Sequence, residues 1–185
     1  RTGEPQIFCE DQDSGKLVQL TDRENMHEWS VYPARNGKYV LYTAGAGAWR
    51  LDINNLKEEK IVDFGDAPMI DGGMVGVSMG TTAFSWDSKW WAVPVKWGKG
   101  YRFYVIDVET GDYVINLEAE QIGHPQFCPD DDDMILYIAG MIERVWVVNR
   151  DGSKNKRIYS RNVELNEWIT HESWLPGTRE ITFVD

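Results

Sequence analysis

A fixed order of turns recurs along this chain, and that recurrence limits its fold more than any other feature. One copy reads Phe84-Ser85-Trp86-Asp87-Ser88-Lys89, then an apolar run from Trp90 to Val95, then Tyr101 to Val108, the turn Glu109-Thr110-Gly111-Asp112, and Tyr113 to Leu117. The next has Gln126-Phe127-Cys128-Pro129-Asp130, Met134 to Ile138, Arg144 to Val148, the turn Asn149-Arg150-Asp151-Gly152-Ser153, and Lys156 to Tyr159. An earlier copy has Tyr32-Pro33, the turn Asn36-Gly37, Tyr39 to Thr43, Ala48 to Ile53, and Lys60 to Phe64. A last, partial one has Trp174-Leu175-Pro176-Gly177 and Glu180 to Val184. Pro-Asp or Asn-Gly makes the first turn and Thr-Gly or Asp-Gly the last, because these residues tolerate the dihedrals that tight turns need.

Four short strands repeating at a period of roughly forty to fifty residues is the pattern of a propeller blade. A β-sandwich has similar strands but no reason to repeat one turn order. The reading is therefore all-β: a β-propeller of four-stranded antiparallel blades, about four of them present. The expected division is an outer half-blade over 1–24, blades over 25–66, 67–120 and 121–163, and an inner half-blade over 164–185. Either the two ends meet to complete one blade or the segment is a slice of a larger ring; the slice is the expectation, since six to eight blades are commoner than four, and it needs further blades or another chain to cover its open sheet edges. The 17 Gly, 9 Trp and 8 Tyr suit strands and tight turns. Only Leu56-Lys57-Glu58-Glu59 is helix-friendly, and it is too short to nucleate a helix.

The net charge of −11 argues against nucleic acid as a partner, since no basic stripe is present to displace counterions. A polyanionic substrate fits only if a cation or a local basic cluster reverses the field in one cleft. No apolar tract is long enough to cross a membrane. Cys9 and Cys128 lie far apart without metal-ligand spacing, and a reduced pair favours the cytoplasm.

The histidines number three. His124 stands five residues before Pro129, His171 five before Pro176, and His27 six before Pro33, each opening the first strand of a blade. Thr81 takes that place in the intervening blade. First strands are innermost in a propeller, so these side chains are expected at one mouth of the central channel. For His27 alone, local turn bonding is the better explanation. For His124 and His171, in adjacent blades and followed by Gln126 and Glu172, a shared site is the better one. Imidazole suits a general base or a transition metal, although two histidines cannot close a metal site. Glu172 is either a partner that orients a histidine or an exposed strand residue.

Other candidates weigh less. Trp90, Trp91 and Trp97 could stack on sugar rings, but alternation puts Trp90 and Trp91 on opposite faces, so at least one is packing. Asp130 to Asp133 lacks the spacing of a calcium loop and reads as a solvated hairpin turn. Gly72-Gly73 with Met74 to Gly80 reads as a long loop over the channel mouth.

Three blocks in order, Gly123-His124-Pro125-Gln126-Phe127-Cys128-Pro129-Asp130, Val145 to Ser153, and Thr170-His171-Glu172-Ser173-Trp174-Leu175-Pro176-Gly177, resemble the oligogalacturonate lyase family. The resemblance is closest over 121–185 and mostly architectural over 28–120. It implies a seven-bladed propeller that cleaves small uronate oligosaccharides, fragments of pectin, by manganese-assisted β-elimination. By motif, His124 is the implied base that removes the C5 proton and His171 one ligand of the Mn²⁺ ion. Arg102 is the implied arginine near the substrate carboxylate. The remaining metal ligands, a glutamine and two histidines, are expected in a later blade outside these residues. Ile138-Ala139-Gly140-Met141 departs from the family's His-Glu-Gly-Pro, and Ser173 replaces an aromatic. The competing expectation is a non-catalytic propeller of the TolB-like kind that binds a protein or glycan at the channel mouth. A propeller joined to a peptidase finds no support, because no nucleophile elbow is present.

Overall fold

A computed structural model describes residues 3–65 and 81–185. The expected loop over Gly72 to Gly80 lies outside the described residues. Strands β1 (Phe8–Glu10) and β2 (Leu17–Gln19) pair as a two-stranded antiparallel sheet. Strands β3 (Tyr32–Pro33), β4 (Tyr39–Ala44), β5 (Gly47–Asp52) and β6 (Glu58–Asp63) follow as a four-stranded meander. A second meander comprises β7 (Ala83–Phe84), β8 (Trp90–Trp97), β9 (Gly100–Asp107) and β10 (Tyr113–Ala119). A third comprises β11 (Gly123–Cys128), β12 (Asp131–Ile138), β13 (Val145–Asn149) and β14 (Lys156–Tyr159). Strands β15 (Thr170–Trp174) and β16 (Ile181–Val184) form the last, two-stranded sheet. No α-helix occurs among the described residues; a single 3₁₀ turn spans Glu28–Ser30.

The sheets stack face to face in chain order. Leu41, Ala48 and Val62 of the first meander pack on Phe84, Trp91, Val93 and Tyr104 of the second. The opposite face of the second meander, with Ala92, Phe103 and Val105, packs on Phe127, Ile135 and Tyr137 of the third. Ile7 closes the outer side of the first meander, and Ile169 and Trp174 close the far side of the third. Each central sheet is thus buried on both faces, which is why β8 reads as a continuous apolar run rather than an alternation. Trp91 and Trp90 serve two different junctions: Trp91 is fully buried against the first meander, and Trp90 packs towards the third under the Arg150 guanidinium, 4.2 Å from its ring. Pro94 is tolerated inside β8 because β7 stops opposite Ala92, and among the described residues β8 beyond that point pairs only with β9.

The final turn of a blade tucks beneath the preceding blade. Gly111 (φ 77°) lies directly against the Ile61 carbonyl of β6, and Gly152 (φ 83°) against the Asn116 carbonyl of β10. Neither position has room for a Cβ. Asn116 Nδ2 fixes the second contact by donating to the carbonyls of Asn149 (2.5 Å) and Arg150 (2.8 Å). The acidic run is absorbed in the same way. Asp132 accepts from the Trp86 amide at 2.8 Å, Asp133 pairs with Arg150 at 3.1 Å, and Asp131 pairs with Arg179 at 3.0 Å. The strand β12 therefore begins at Asp131, inside the run expected to be a turn.

Candidate functional site

One cavity of about 630 Å³ is lined by the first strand of each blade: Tyr32 of β3, Ala83 and Phe84 of β7, His124 and Gln126 of β11, and His171 and Glu172 of β15. A cavity bordered by the first strand of successive sheets is the central channel of a propeller, and it brings His124 and His171 together. Thr81 also lines it. His27 does not; a 3₁₀ turn occupies the extra residue of its spacing, and the imidazole is buried. Its main chain bonds the turn, with the His27 carbonyl accepting from the Ser30 amide (3.1 Å) and hydroxyl (2.6 Å). Its Nδ1 finds no partner among the described residues, and burial lowers its pKa against the weaker pull of Glu28.

Both channel histidines have left-handed backbone, φ 45° at His124 and 54° at His171. Each sits in an irregular step of its hairpin: the register shifts between Gly123 and Gln126, and between Thr170 and Ser173. A bulge re-aims one side chain at the edge of a sheet, and left-handed backbone is uncommon outside glycine. The two blades repeat this device at the same position.

Behind His124 lies Glu172, whose side chain is completely buried. Its Oε2 is 3.6 Å from His124 Nδ1, and its Oε1 accepts from Nε of the equally buried Arg144, with Arg144 Nη2 3.5 Å from Oε2. Burial pushes the Glu172 pKa up, but His124 and Arg144 outweigh it and hold the carboxyl at about 2. Gln126 Nε2 donates to the Glu172 carbonyl (2.6 Å) and Trp174 Nε1 to the Gln126 carbonyl (3.1 Å), locking β11 to β15. Of the two expectations for Glu172, the geometry matches the partner of a histidine, and that histidine is His124.

Arg102 lies elsewhere. It is near the start of β9, at the same end of the sheets as His124, but it lines a separate cavity with Trp97, Lys99 and Gln121. Its Nε donates to Glu118 at 2.6 Å, and its guanidinium lies 3.8 Å from the Trp97 ring centroid. The cation that does face the channel is Arg35, stacked 3.6 Å over the part-exposed Trp86 near the hairpin end of the first strands. Arg35 is not among the residues the sequence singles out, since a lone arginine in a turn carries no pattern. Among the described residues Glu172 is the one carboxylate lining this cavity, and it is buried and paired. The other three described cavities are each lined by Asp or Glu side chains with exposed neighbours.

Among the described residues no group of three or more His, Cys, Asp or Glu side chains converges to hold a metal ion. His171, exposed at the mouth, offers one imidazole, so these residues alone do not make a manganese centre.

Stacked four-stranded meanders around a channel define a β-propeller segment. No family model matches the chain, and no curated protein matches it. Among solved structures it is similar to an oligogalacturonate lyase in complex with manganese, with TM-score 0.74, 20% identity, and coverage of 92% of this chain and 50% of that one. It is equally similar to the oligogalacturonate lyase of Vibrio parahaemolyticus, with TM-score 0.74, 20% identity, and coverage of 94% and 50%. It is also similar to the Swd1 β-propeller domain of Myceliophteria thermophila, with TM-score 0.63, 11% identity, and coverage of 97% and 61%. The chain spans about half the length of the two lyases. These likenesses show the propeller fold.

Proposed function

We propose that this chain carries part of the active site of a polysaccharide lyase that degrades oligogalacturonates by β-elimination. The observation that carries the reading is a channel that holds His124 and His171 on matching bulges, has no solvent-facing carboxylate among the described residues, and backs His124 with Glu172. The resemblance of the histidine blocks and the fold shared with two oligogalacturonate lyases support it.

The chemistry follows from the substrate. A C5 proton next to a uronate carboxylate is barely acidic until that charge is neutralised. His124 takes the proton, the C–H electron pair forms the C4–C5 double bond, and the C4–O bond breaks to release the leaving sugar as its alkoxide, which is then protonated. Arg35 supplies a positive charge within the channel, and Arg102 meets substrate only at the outer rim, beyond this cavity. When bound, a divalent cation such as Mn²⁺ neutralises the carboxylate. The described residues offer it His171, and its other ligands come from outside them.

The test is direct. Incubated with digalacturonate and Mn²⁺, the protein produces the ultraviolet absorbance of an unsaturated uronate, and His124→Ala abolishes it while melting at a similar temperature. Absence of that absorbance with any uronide, metal present, overturns the reading. A second reading, a non-catalytic propeller binding a glycan or protein at the channel mouth, is favoured by the incomplete ligand set among the described residues. It predicts no turnover and no rise in melting temperature on adding Mn²⁺.

A further inference from the structure

We infer that Trp29 is a stacking platform for a pyranose ring at the channel mouth, taking a second sugar of an oligosaccharide whose first sugar lies at His124 and His171. The inference deepens the lyase reading and rests on it for the identity of the sugar.

The first meander carries an outgrowth where the later blades carry a bulge of one residue. In the third meander two residues (124–125) stand against one (137), and in the last sheet two (171–172) stand against one (183). At the same step of the first meander, between the pairs Met26–Ala44 and Tyr32–Leu41, five residues (27–31) stand against two (42–43). The surplus is the 3₁₀ turn Glu28–Ser30. Strand β4 occupies one side of β3, so the turn swells on the other side, which borders the channel. His27, at the start of the turn, is drawn into the core, and Trp29, in its middle, is left 61% exposed.

The turn is held more firmly than an exposed loop requires. Ser30 is fully buried, and its hydroxyl donates to the His27 carbonyl (2.6 Å) and accepts from the Thr43 amide (2.8 Å). Its carbonyl accepts from Oγ1 of Thr82, a residue of the cavity wall in the next blade, at 3.0 Å. An indole mounted one residue from that anchor has little backbone freedom left to lose when a ligand arrives.

The faces of that indole are bare. Trp86 and Trp168 are exposed too, but they lie under the guanidinium groups of Arg35 and Arg161. Trp29 has no hydrogen bond, ring contact or cation contact among the described residues. A pyranose turns a patch of weakly positive C–H bonds out of one face, which complements the electron-rich face of an indole. Glu28, exposed in the same turn, repels a uronate carboxylate, so the ring stacks through its C–H face with the carboxylate turned away. A monosaccharide held at the histidines does not need this platform; a longer chain reaches it.

The experiment labels the protein with 5-fluorotryptophan, which gives nine ¹⁹F resonances, and Trp29→Phe identifies the one from residue 29. Galacturonate and trigalacturonate are titrated with Mn²⁺ present in the His124→Ala background, so that no ligand is consumed, and melting curves confirm the fold of each variant. The expected result is that trigalacturonate moves the Trp29 resonance with a saturation curve and galacturonate leaves it fixed. Trp29→Ala then binds trigalacturonate about 3- to 10-fold more weakly, with Trp29→Phe close to the parent and galacturonate affinity unchanged. With His124 intact, Trp29→Ala raises KM for trigalacturonate by the same factor while kcat holds. Saturable binding of trigalacturonate with the Trp29 resonance unmoved, or a folded Trp29→Ala that binds it as tightly as the parent, overturns the platform and leaves the lyase reading standing. If Trp29 responds as expected but the wild type turns over no uronide, the lyase reading fails and the platform stands. A protein that binds no trigalacturonate overturns both.

Discussion

His124 and His171 occupy the same step of adjacent blades, and both hold left-handed backbone there, at φ 45° and 54°. For an L-residue that conformation costs about 1–2 kcal/mol, a cost glycine does not carry. His124→Gly and His171→Gly should therefore each melt above the matching alanine variant, by about 2–4 °C for a gain of about 1 kcal/mol in a domain of this size. Calorimetry of the four variants checks it; equal melting temperatures would mean that the bulges relax without cost.

Buried charges at the Arg144–Glu172 contact set a second expectation. Arg144→Leu leaves the Glu172 carboxylate without its guanidinium in a fully buried position, and breaking such a pair costs about 3–5 kcal/mol. Arg144→Leu with Glu172→Leu removes both charges and should regain most of that loss. Urea unfolding of the single and double variants measures the difference.

Blade docking through the last turn is tested at Gly152. Any Cβ there runs into the Asn116 carbonyl, and the positive φ adds strain. Gly152→Ala should destabilise by more than about 1 kcal/mol. Gly177→Ala, at an open turn with a similar φ, bears the backbone strain alone and should cost less. Equal losses at the two sites would remove the docking argument.

Stability should fall in two steps as the solution is acidified. His27 has its pKa lowered from 6.5 by burial, so the unfolded chain binds the proton first. Its contribution is complete above pH 6.5 and is lost as pH falls from there towards the folded value. Carboxylates follow: burial raises the Glu58 pKa, but hydrogen bonds from Arg23 and Tyr42 outweigh it and lower the value below 4.5. Its stabilisation is present above pH 4.5 and disappears as pH drops through the folded value. Urea midpoints across this range should show both steps, and His27→Gln should flatten the first alone.

Much of the fold is legible in the turns, because Asn-Gly, Thr-Gly and Asp-Gly state where a strand must reverse whatever packs around it. The pair of channel histidines is legible for the same reason, since a constant offset from the first-turn proline puts them at one level of successive blades. His27 shows the limit of that rule: one more residue admits a 3₁₀ turn over Glu28–Ser30, and the imidazole leaves the channel for the core. The Arg144–Glu172 pair was not legible. Its members lie 28 residues apart in different blades, and single charges at or beside strands give no sign of the face they take. Arg102 illustrates a further gap, because strand alternation fixes a side without saying that Glu118 and Trp97 wait there.

The central claim is that His124 and His171 share one channel, proposed to take up an anionic uronate, from which His27 is excluded. It is tested most directly by following the three imidazoles of ¹⁵N-histidine-labelled protein while digalacturonate is added. The account predicts that the resonances of His124 and His171 move together with one saturation curve and those of His27 stay fixed. No movement of either channel histidine, or movement of His27 with only one of them, would contradict it.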